Sequence, residues 1–192
     1  IFWFVLSFFG AIPFLMDESL KFSLVEAIFE STSGWTTTGA TVITNIDDLN
    51  KPLLLYRQLL QWLGGIGIVV LVLAILPILG VGGMYLYKAE TSSPVKDNKL
   101  SPRITETAKS LWGVYIILTI ACAVLYKIAG MSYFDAIGHS FSTVSIGGFS
   151  THNTSIGFYS SNLIKIICMV FMFLSALNFV LHFLFYKNKS LT

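Results

Sequence analysis

Charged residues are scarce in this sequence. Asp, Glu, Lys and Arg make up 11% of its 192 residues, whereas soluble domains carry about 25%. Hydrophobic residues make up 55%, and the mean hydropathy is +0.76. This composition excludes an ordinary soluble domain and predicts a membrane protein. The net charge is +2 and the few lysines are scattered, so nucleic-acid binding is excluded as well.

Cysteine and histidine, which build many metal and catalytic centres, are also rare. The two cysteines, Cys122 and Cys168, lie in apolar segments without the spacing of a metal site or a disulfide framework, so we expect them to pack as small hydrophobic residues. The three histidines, His139, His152 and His182, have no partner ligand at metal-binding spacing. We therefore expect neither an enzyme nor a bound cofactor.

The first apolar segment lacks the marks of a cleaved signal peptide. No basic region precedes it, and no small-residue cleavage site comes before Asp17. The chain begins inside this segment, at Ile1, and stops at Thr192 just past another apolar segment. We expect a fragment of a longer protein that begins within a truncated transmembrane helix.

Four apolar segments are long enough, or nearly so, to cross a bilayer as helices, which takes about 20 residues. They cover Ile1–Met16, Leu53–Leu79, Leu111–Ala129 and Leu163–Tyr186. A stretch too short to span lies between the first and second segments, and another lies between the third and fourth. We interpret each of these stretches as a short re-entrant helix followed by a polar loop.

These two short stretches form an internal repeat. When the chain is shifted by 109 positions, Ser23–Thr41 aligns with Ser132–Ser150 without a gap, and six positions are identical. The predicted fold is therefore an all-α polytopic membrane protein built twice from membrane helix, re-entrant pore helix, filter loop and membrane helix, as in potassium channels. The predicted units are residues 1–83 and 110–192, joined by a connector over 84–109.

Each copy carries a helix-start signal. Ser23 is followed three residues later by Glu26, and Ser132 by Asp135, the spacing at which a serine and an acid satisfy the first free amides of a helix. Helices of about 10 residues would then end at the polar loops. The partial negative charge at a helix C-terminus favours a cation there.

The basic and acidic residues predict the orientation in the membrane. The connector and the C-terminal tail hold most of the lysines, whereas residues 17–51 hold six acids and two bases. Lys and Arg mark the cytoplasmic side, so both loops would enter from outside. The outer acids would form a vestibule that attracts cations: Asp17, Glu18, Glu26, Glu30, Asp47 and Asp48.

The loops themselves indicate an ion filter. Thr36–Gly39 and Ser145–Gly148 are polar backbone between apolar segments, which a membrane tolerates where the chain lines water or an ion path. Their side chains differ between the copies, so backbone carbonyls are the shared ligands, with Gly39 and Gly148 at positive φ. The predicted potassium ligands are Thr37, Thr38, Gly39, Ile146, Gly147 and Gly148. The alternative is a re-entrant loop that only packs.

The apolar helices contain a few small and polar residues. Gly64–Gly67 would let helices approach closely, and Gly80–Gly83 would end the second span. Arg57 and Gln61 lie one turn apart, and we expect Arg57 to reach the interface or to pair with an acid such as Glu30. Asn178 would face the pore or a neighbouring helix.

Five stretches resemble segments of the TrkH/KtrB superfamily of potassium uptake transporters, most closely its TrkH branch. They are Ser-Gly-Trp-Thr-Thr-Thr-Gly-Ala-Thr (33–41), Tyr-Arg-Gln-Leu-Leu-Gln-Trp-Leu-Gly-Gly-Ile-Gly-Ile (56–68), Ala-Ile-Leu-Pro-Ile-Leu-Gly-Val-Gly-Gly-Met (74–84), Val-Lys-Asp-Asn-Lys-Leu (95–100) and Ile-Gly-Gly-Phe-Ser-Thr-His (146–152). The resemblance covers essentially the whole chain. It implies the first two of four repeats around one pore.

The resemblance also implies a setting. Members of this superfamily are potassium transporters of the bacterial inner membrane that work as homodimers and bind a cytosolic, nucleotide-binding regulatory subunit of the TrkA type. The connector over 84–109 would face that subunit. The third and fourth filters, the gating loop and the pore arginine of the family have no counterpart in this chain.

Two other functions are alternatives to an ion filter. A secondary carrier that binds a small solute between re-entrant hairpins is expected to have inverted repeats, whereas the two copies here share one orientation. A membrane subunit with only a structural role would not need two matched loops of hydroxyl residues and glycine. Potassium conduction through carbonyl-lined filters is therefore the favoured hypothesis, with potassium as the transported substrate.

Overall fold

The computed structural model of the chain describes residues 2–75 and 100–177, in which the regular secondary structure is helical and no β-strand occurs. This confirms the all-α prediction. The α-helices are α1 (Phe2–Met16), α2 (Leu24–Trp35), α3 (Lys51–Ile75), α4 (Leu100–Ile128), α5 (Tyr133–Val144) and α6 (Asn162–Ala176). A short 3₁₀ helix, Ser155–Phe158, precedes α6.

The internal repeat is visible in the order and length of the helices. A long helix, a short helix, a loop and another long helix follow one another twice. The short helices α2 and α5 have 12 residues each, and their bounds differ by the same 109 positions that align the two sequence copies. The similarity of sequence therefore reflects a similarity of local structure.

Both predicted helix starts are present. Ser23 and Glu26 form a complete capping box, in which each side chain accepts a hydrogen bond from the other residue's backbone amide. In the second copy the Ser132 hydroxyl accepts from the Asp135 amide at 3.0 Å and donates to the Asp135 carboxylate at 2.7 Å. Asp is one methylene shorter than Glu, and the carboxylate of Asp135 also accepts a hydrogen bond from Thr151.

Helix α4 begins at Leu100, well before the predicted Leu111, because a helix can continue past the apolar stretch that the bilayer requires. Helix α6 covers Asn162–Ala176 and is followed by Leu177 in extended backbone (φ −67°, ψ 146°). The rest of the predicted segment, residues 178–186, lies outside the described residues. Asn178, His182, Gly80–Gly83 and connector residues 84–99 lie outside the described residues.

The long helices present apolar faces. Within the described residues, Leu111–Ile128 has the length and hydropathy needed to cross a membrane, and only 28% of it is buried. Trp3–Met16 and Asn162–Ala176 are apolar but shorter. Large apolar side chains such as Phe8 and Ile117 are exposed, an arrangement that suits contact with lipid.

Helix α3 packs into both copies. Its Leu60 joins a buried cluster with Ala11, Phe14 and Ala27 of the first copy. Two turns later, Ile66 joins a second buried cluster, which the second copy supplies with Tyr115, Cys122, Tyr126, Met131 and Ile164, among others. One helix therefore belongs to two apolar cores and positions the two copies side by side.

Glycines on α3 allow this close packing, as predicted. A Cβ added to Gly64 would lie 2.1 Å from the Trp35 carbonyl oxygen at the end of α2. A Cβ added to Gly65 would lie 3.0 Å from the Ser145 Cβ at the end of α5. The C-terminal ends of both short helices therefore rest on adjacent glycines of α3.

Arg57 connects the two copies through a buried ion pair. Its Nη2 lies 2.7 Å from Glu30 Oε1, and both side chains are fully buried. Nη2 also donates to Thr41 Oγ1 at 3.1 Å, and Nη1 donates to the Ser150 carbonyl of the second copy at 3.4 Å. The guanidinium lies over the Phe149 ring, 4.2 Å from its centroid. The predicted pairing of Arg57 with Glu30 is confirmed.

Replacing Arg57 with Met should destabilise the protein strongly, because Glu30 would keep a buried, unpaired carboxylate. Removing one partner of a buried pair costs about 3–5 kcal/mol. Thermal unfolding of the purified full-length protein in detergent measures the effect. Lys51→Met, on the exposed start of the same helix, should change the unfolding temperature little. Equal stability of the Arg57→Met and parent proteins would contradict the role of this ion pair.

Replacing Gly64 with Ala should push α3 away from α2, because the new methyl group would meet a backbone carbonyl that cannot rotate aside. Overpacking of this kind costs about 1–3 kcal/mol. Gly67→Ala is the matched control, since its added Cβ would make only an ordinary 3.5 Å contact with Trp3. In the same thermal unfolding assay, Gly64→Ala should have a lower unfolding temperature than Gly67→Ala. The opposite order would refute the close approach of α3 to α2 at Gly64.

Candidate ion-binding loops

The first residues of each polar loop form backbone hydrogen bonds with the end of the preceding short helix, and the pattern is the same in both copies. In the first copy the Thr37 amide donates to the Gly34 carbonyl, and the Thr38 amide donates to the Ser33 carbonyl, each at 3.0 Å. Both bonds recur at the equivalent positions of the second copy. The Ile146 amide donates to the Thr143 carbonyl at 3.1 Å, and the Gly147 amide donates to the Ser142 carbonyl at 2.8 Å. The loops thus share a backbone conformation although their side chains differ.

Positive φ angles occur at alternate residues in both loops. They are found at Thr37 (53°) and Gly39 (76°), and at Ile146 (55°) and Gly148 (86°). A backbone whose successive carbonyls face one axis needs residues at positive φ. The positive φ predicted for both glycines is confirmed. Left-handed backbone at β-branched Thr37 and Ile146 was not predicted; it costs about 1–3 kcal/mol per residue and is concentrated at functional sites.

The fold brings the two loops into direct backbone contact. A Cβ built on Gly39 would lie only 2.1 Å from the Gly147 carbonyl oxygen of the other loop. Around Gly148, by contrast, an added Cβ would meet no atom within 4 Å. The residues predicted from the two copies therefore lie at one site, where Gly39 has no room for a side chain.

The predicted ligand residues differ in exposure. Thr38, Ile146 and Gly148 are exposed, whereas Thr37 and Gly39 are partly exposed. Gly147 is buried. Five of the six residues therefore have some surface open to a small ligand.

Two of the three threonine hydroxyls in Thr36–Gly39 already have protein partners. Thr36 Oγ1 lies 2.7 Å from both the Thr32 carbonyl and Thr38 Oγ1. In the second loop, isoleucine and glycine occupy the positions of Thr37 and Thr38. Backbone carbonyls are thus the ligand type available in both copies.

Gln61 of α3 contacts the second loop. Its Nε2 donates to the Gly147 carbonyl at 2.7 Å, and its Oε1 accepts from the Phe149 amide at 3.0 Å. The side chain is fully buried. The sequence indicated only that Gln61 shares a helix face with Arg57, and nothing in its local pattern pointed to the second loop.

One of the polar pairs that join each loop to its own short helix lies at equivalent positions in the two copies. Thr41 Oγ1 donates to Glu30 at 2.9 Å in the first copy. At the equivalent positions of the second copy, His139 Nε2 and Ser150 Oγ are 2.9 Å apart. His139 therefore has a structural role, as the absence of ligand spacing around it indicated.

The acids near the loops do not all contribute to a cation-attracting vestibule. Glu30 was predicted as one of the vestibule acids, but it is fully buried and its charge is balanced by Arg57. Asp47 Oδ1 lies 3.1 Å from His152 Nδ1 of the second copy. Hydrogen bonds, first of all from the Ser19 side chain, hold the pKa of Asp17 below its ordinary value. Asp17 therefore remains negatively charged at neutral pH.

Neither cysteine belongs to a bridge, and no group of three or more His, Cys, Asp or Glu side chains within the described residues could hold a metal ion. Cys122 is buried in the second apolar cluster, as its predicted packing role requires. The loops are thus the candidate ion site among the described residues.

Comparison with known proteins identifies the family of this chain. Residues 1–191 match the TrkH family model, described as cation transport protein. The Trk system potassium uptake protein TrkH of Halomonas elongata is 58% identical over 192 residues, and that of Escherichia coli K12 is 55% identical over 191 residues. TrkG of Escherichia coli K12, another Trk system potassium uptake protein, is 46% identical over 190 residues.

The fold is similar to a solved transporter. The crystal structure of the potassium transporter TrkH from Vibrio parahaemolyticus matches 95% of this chain with a TM-score of 0.81 and 53% identity, and the match covers 36% of that protein. The chain spans about 40% of the length of the curated TrkH relatives. A polytopic membrane transporter fold agrees with these matches, and the chain belongs to the TrkH family of cation transport proteins.

Proposed function

We propose that this chain forms half of a potassium-selective pore through which a longer transporter takes up potassium. The alternating positive φ angles in two equivalent loops are the observation that carries the proposal. A backbone of this kind presents several carbonyls to one axis, which is how a filter replaces the hydration shell of potassium. The relatives named as potassium uptake proteins support the choice of ion.

The ligands in this proposal are the backbone carbonyls of Thr37, Thr38 and Gly39 and those of Ile146, Gly147 and Gly148. The carbonyl of Gly147 is already held by Gln61, but a carbonyl oxygen has two lone pairs and can accept a second partner. Helices α2 and α5 end at the loops. Their C-terminal partial negative charges would favour a cation at the same place.

The wider setting is proposed from the family. Two loops provide two quarters of a ring, so the other two quarters would come from the part of the transporter that follows this chain. Conduction would be passive in the bacterial inner membrane, with both loops entering from outside. A homodimer and a cytosolic, nucleotide-binding regulatory subunit of the TrkA type complete the proposed assembly, in line with the Trk system named in the relatives.

Replacing Gly39 with Ala in the full-length transporter should lower the ratio of potassium to sodium uptake. The residue has φ 76°, and its added Cβ would displace the Gly147 carbonyl. A change of about 1.4 kcal/mol in the relative barriers for the two ions would lower the ratio about tenfold. Initial uptake rates in bacteria that lack other potassium transporters measure it.

Gly130→Ala is the matched control for Gly39→Ala. Gly130 also has positive φ (109°), but an added Cβ there would meet no atom within 4 Å. It therefore imposes backbone strain without touching the loops, and the uptake ratio should be preserved. An unchanged ratio of potassium to sodium uptake in Gly39→Ala would contradict the proposal that this loop is part of an ion filter.

A further inference from the structure

Both polar atoms of the Gln61 side-chain amide form hydrogen bonds with the loop of the other copy. It lies on α3 of the first copy, yet its hydrogen bonds, at 2.7 and 3.0 Å, go to the Gly147 carbonyl and the Phe149 amide. The side chain is completely buried. Water therefore cannot replace these bonds, and the loop groups would be left unsatisfied without them.

The two bonded groups lie on either side of Gly148. One is the carbonyl of the peptide group before it, and the other is the amide of the peptide group after it. Gly148 has φ 86° and no side chain, and a Cβ built on it would meet no atom within 4 Å. Gln61 thus bonds both peptide groups that flank a loop residue with no side chain of its own to restrain it.

A glutamine suits this task because its planar amide is at once a donor and an acceptor. A glutamate of the same length would keep the acceptor for Phe149 but, when ionised, would have no hydrogen to donate to Gly147. A methionine would keep the approximate volume and lose both bonds.

The side-chain difference between the two loops follows from the same contact. Thr38 in the first loop aligns with Gly147 in the second. A Cβ on Gly147 would lie 2.3 Å from Gln61 Cδ, so the space that a threonine would need is taken. The described range of α6, Asn162–Ala176, contains no asparagine or glutamine after its first residue. An equivalent contact therefore does not recur from the rest of this range of α6.

We propose that Gln61 is a positioning residue that sets the ion selectivity of the second loop from the first copy. The inference rests on the proposed potassium function. Selectivity depends on the number and placement of carbonyl dipoles around the ion, and the buried hydrogen bond from Gln61 helps to fix the orientation of the Gly147 carbonyl. Without it, the peptide groups around Gly148 would rotate and adapt to more than one cation.

The test compares Gln61→Met and Gln61→Glu with the parent full-length transporter, reading the ratio of initial potassium to sodium uptake. We expect about a tenfold fall in the ratio for Met, because two buried bonds are lost, and a smaller fall for Glu. A ratio is insensitive to the amount of transporter in the membrane, so poor expression alone would not move it. An unchanged or increased ratio in Gln61→Met would overturn the proposal.

Gln58→Leu is the matched control. Gln58 lies one turn earlier on α3 and is equally buried, but neither atom of its amide has a hydrogen-bond partner among the described residues. If Gln61 acts through its two bonds, Gln58→Leu should keep the parental ratio. A fall as large as that of Gln61→Met would mean that any change in this buried region disturbs the ratio, and would overturn the specific role of Gln61.

Gly147→Ala gives a second route if Gln61→Met does not fold. Its methyl group would displace the Gln61 amide, so it should lower the ratio about as much as Gln61→Met, about tenfold. The double variant should then fall no further than either single variant. Independent, multiplied effects would overturn the proposal.

The parent and Gly39→Ala separate this proposal from the potassium function itself. Discrimination that falls in Gly39→Ala but not in Gln61→Met would overturn the role of Gln61 and leave the filter in place. A parent without potassium preference would overturn both.

Discussion

The buried charge of Arg57 is the constraint on which the arrangement of the two copies depends. A guanidinium without water is costly, and its cost is offset only when an opposite charge and further acceptors converge on it. Glu30 and Thr41 come from the first copy, whereas the Ser150 carbonyl comes from the second. These three groups can all contact the Arg57 guanidinium only when both loops are positioned correctly relative to α3. The glycines of α3 then allow both short helices to approach the same helix.

The two copies share their backbone and differ in the side chains that support it. The hydrogen bonds that start each loop and the alternating φ angles are equivalent. The supporting pair is Glu30 with Thr41 in one copy and His139 with Ser150 in the other. Glu30 balances the charge of Arg57, whereas His139 pairs with the Ser150 hydroxyl. Side-chain divergence therefore follows from each copy's neighbours, while an unchanged backbone keeps the carbonyls equivalent.

Local signals in the sequence predicted most of the frame. Serine and acid spacing predicted both short helices, and the aligned glycines predicted positive φ. The left-handed backbone of Ile146 could not be predicted, because β-branched residues disfavour it and only tertiary contacts stabilise it. The hydrogen bond between Gln61 and Gly147 could not be predicted either, because the two residues are 86 positions apart in the sequence and belong to different copies. Glu30 was misplaced in a vestibule because its charge says nothing about its burial.

The contact between Gln61 and Gly147 has a consequence for the symmetry of a complete pore. If every inner helix supported the next loop in the same way, the residue of α6 equivalent to Gln61 would be an amide. The described range of α6, Asn162–Ala176, has no asparagine or glutamine after its first residue. A ring of four loops built on this chain would therefore be symmetric in its backbone carbonyls and asymmetric in the groups that hold them. Because an ion contacts the carbonyls and not their supports, such a ring can coordinate potassium with near-equal ligands while each quarter has its own rigidity.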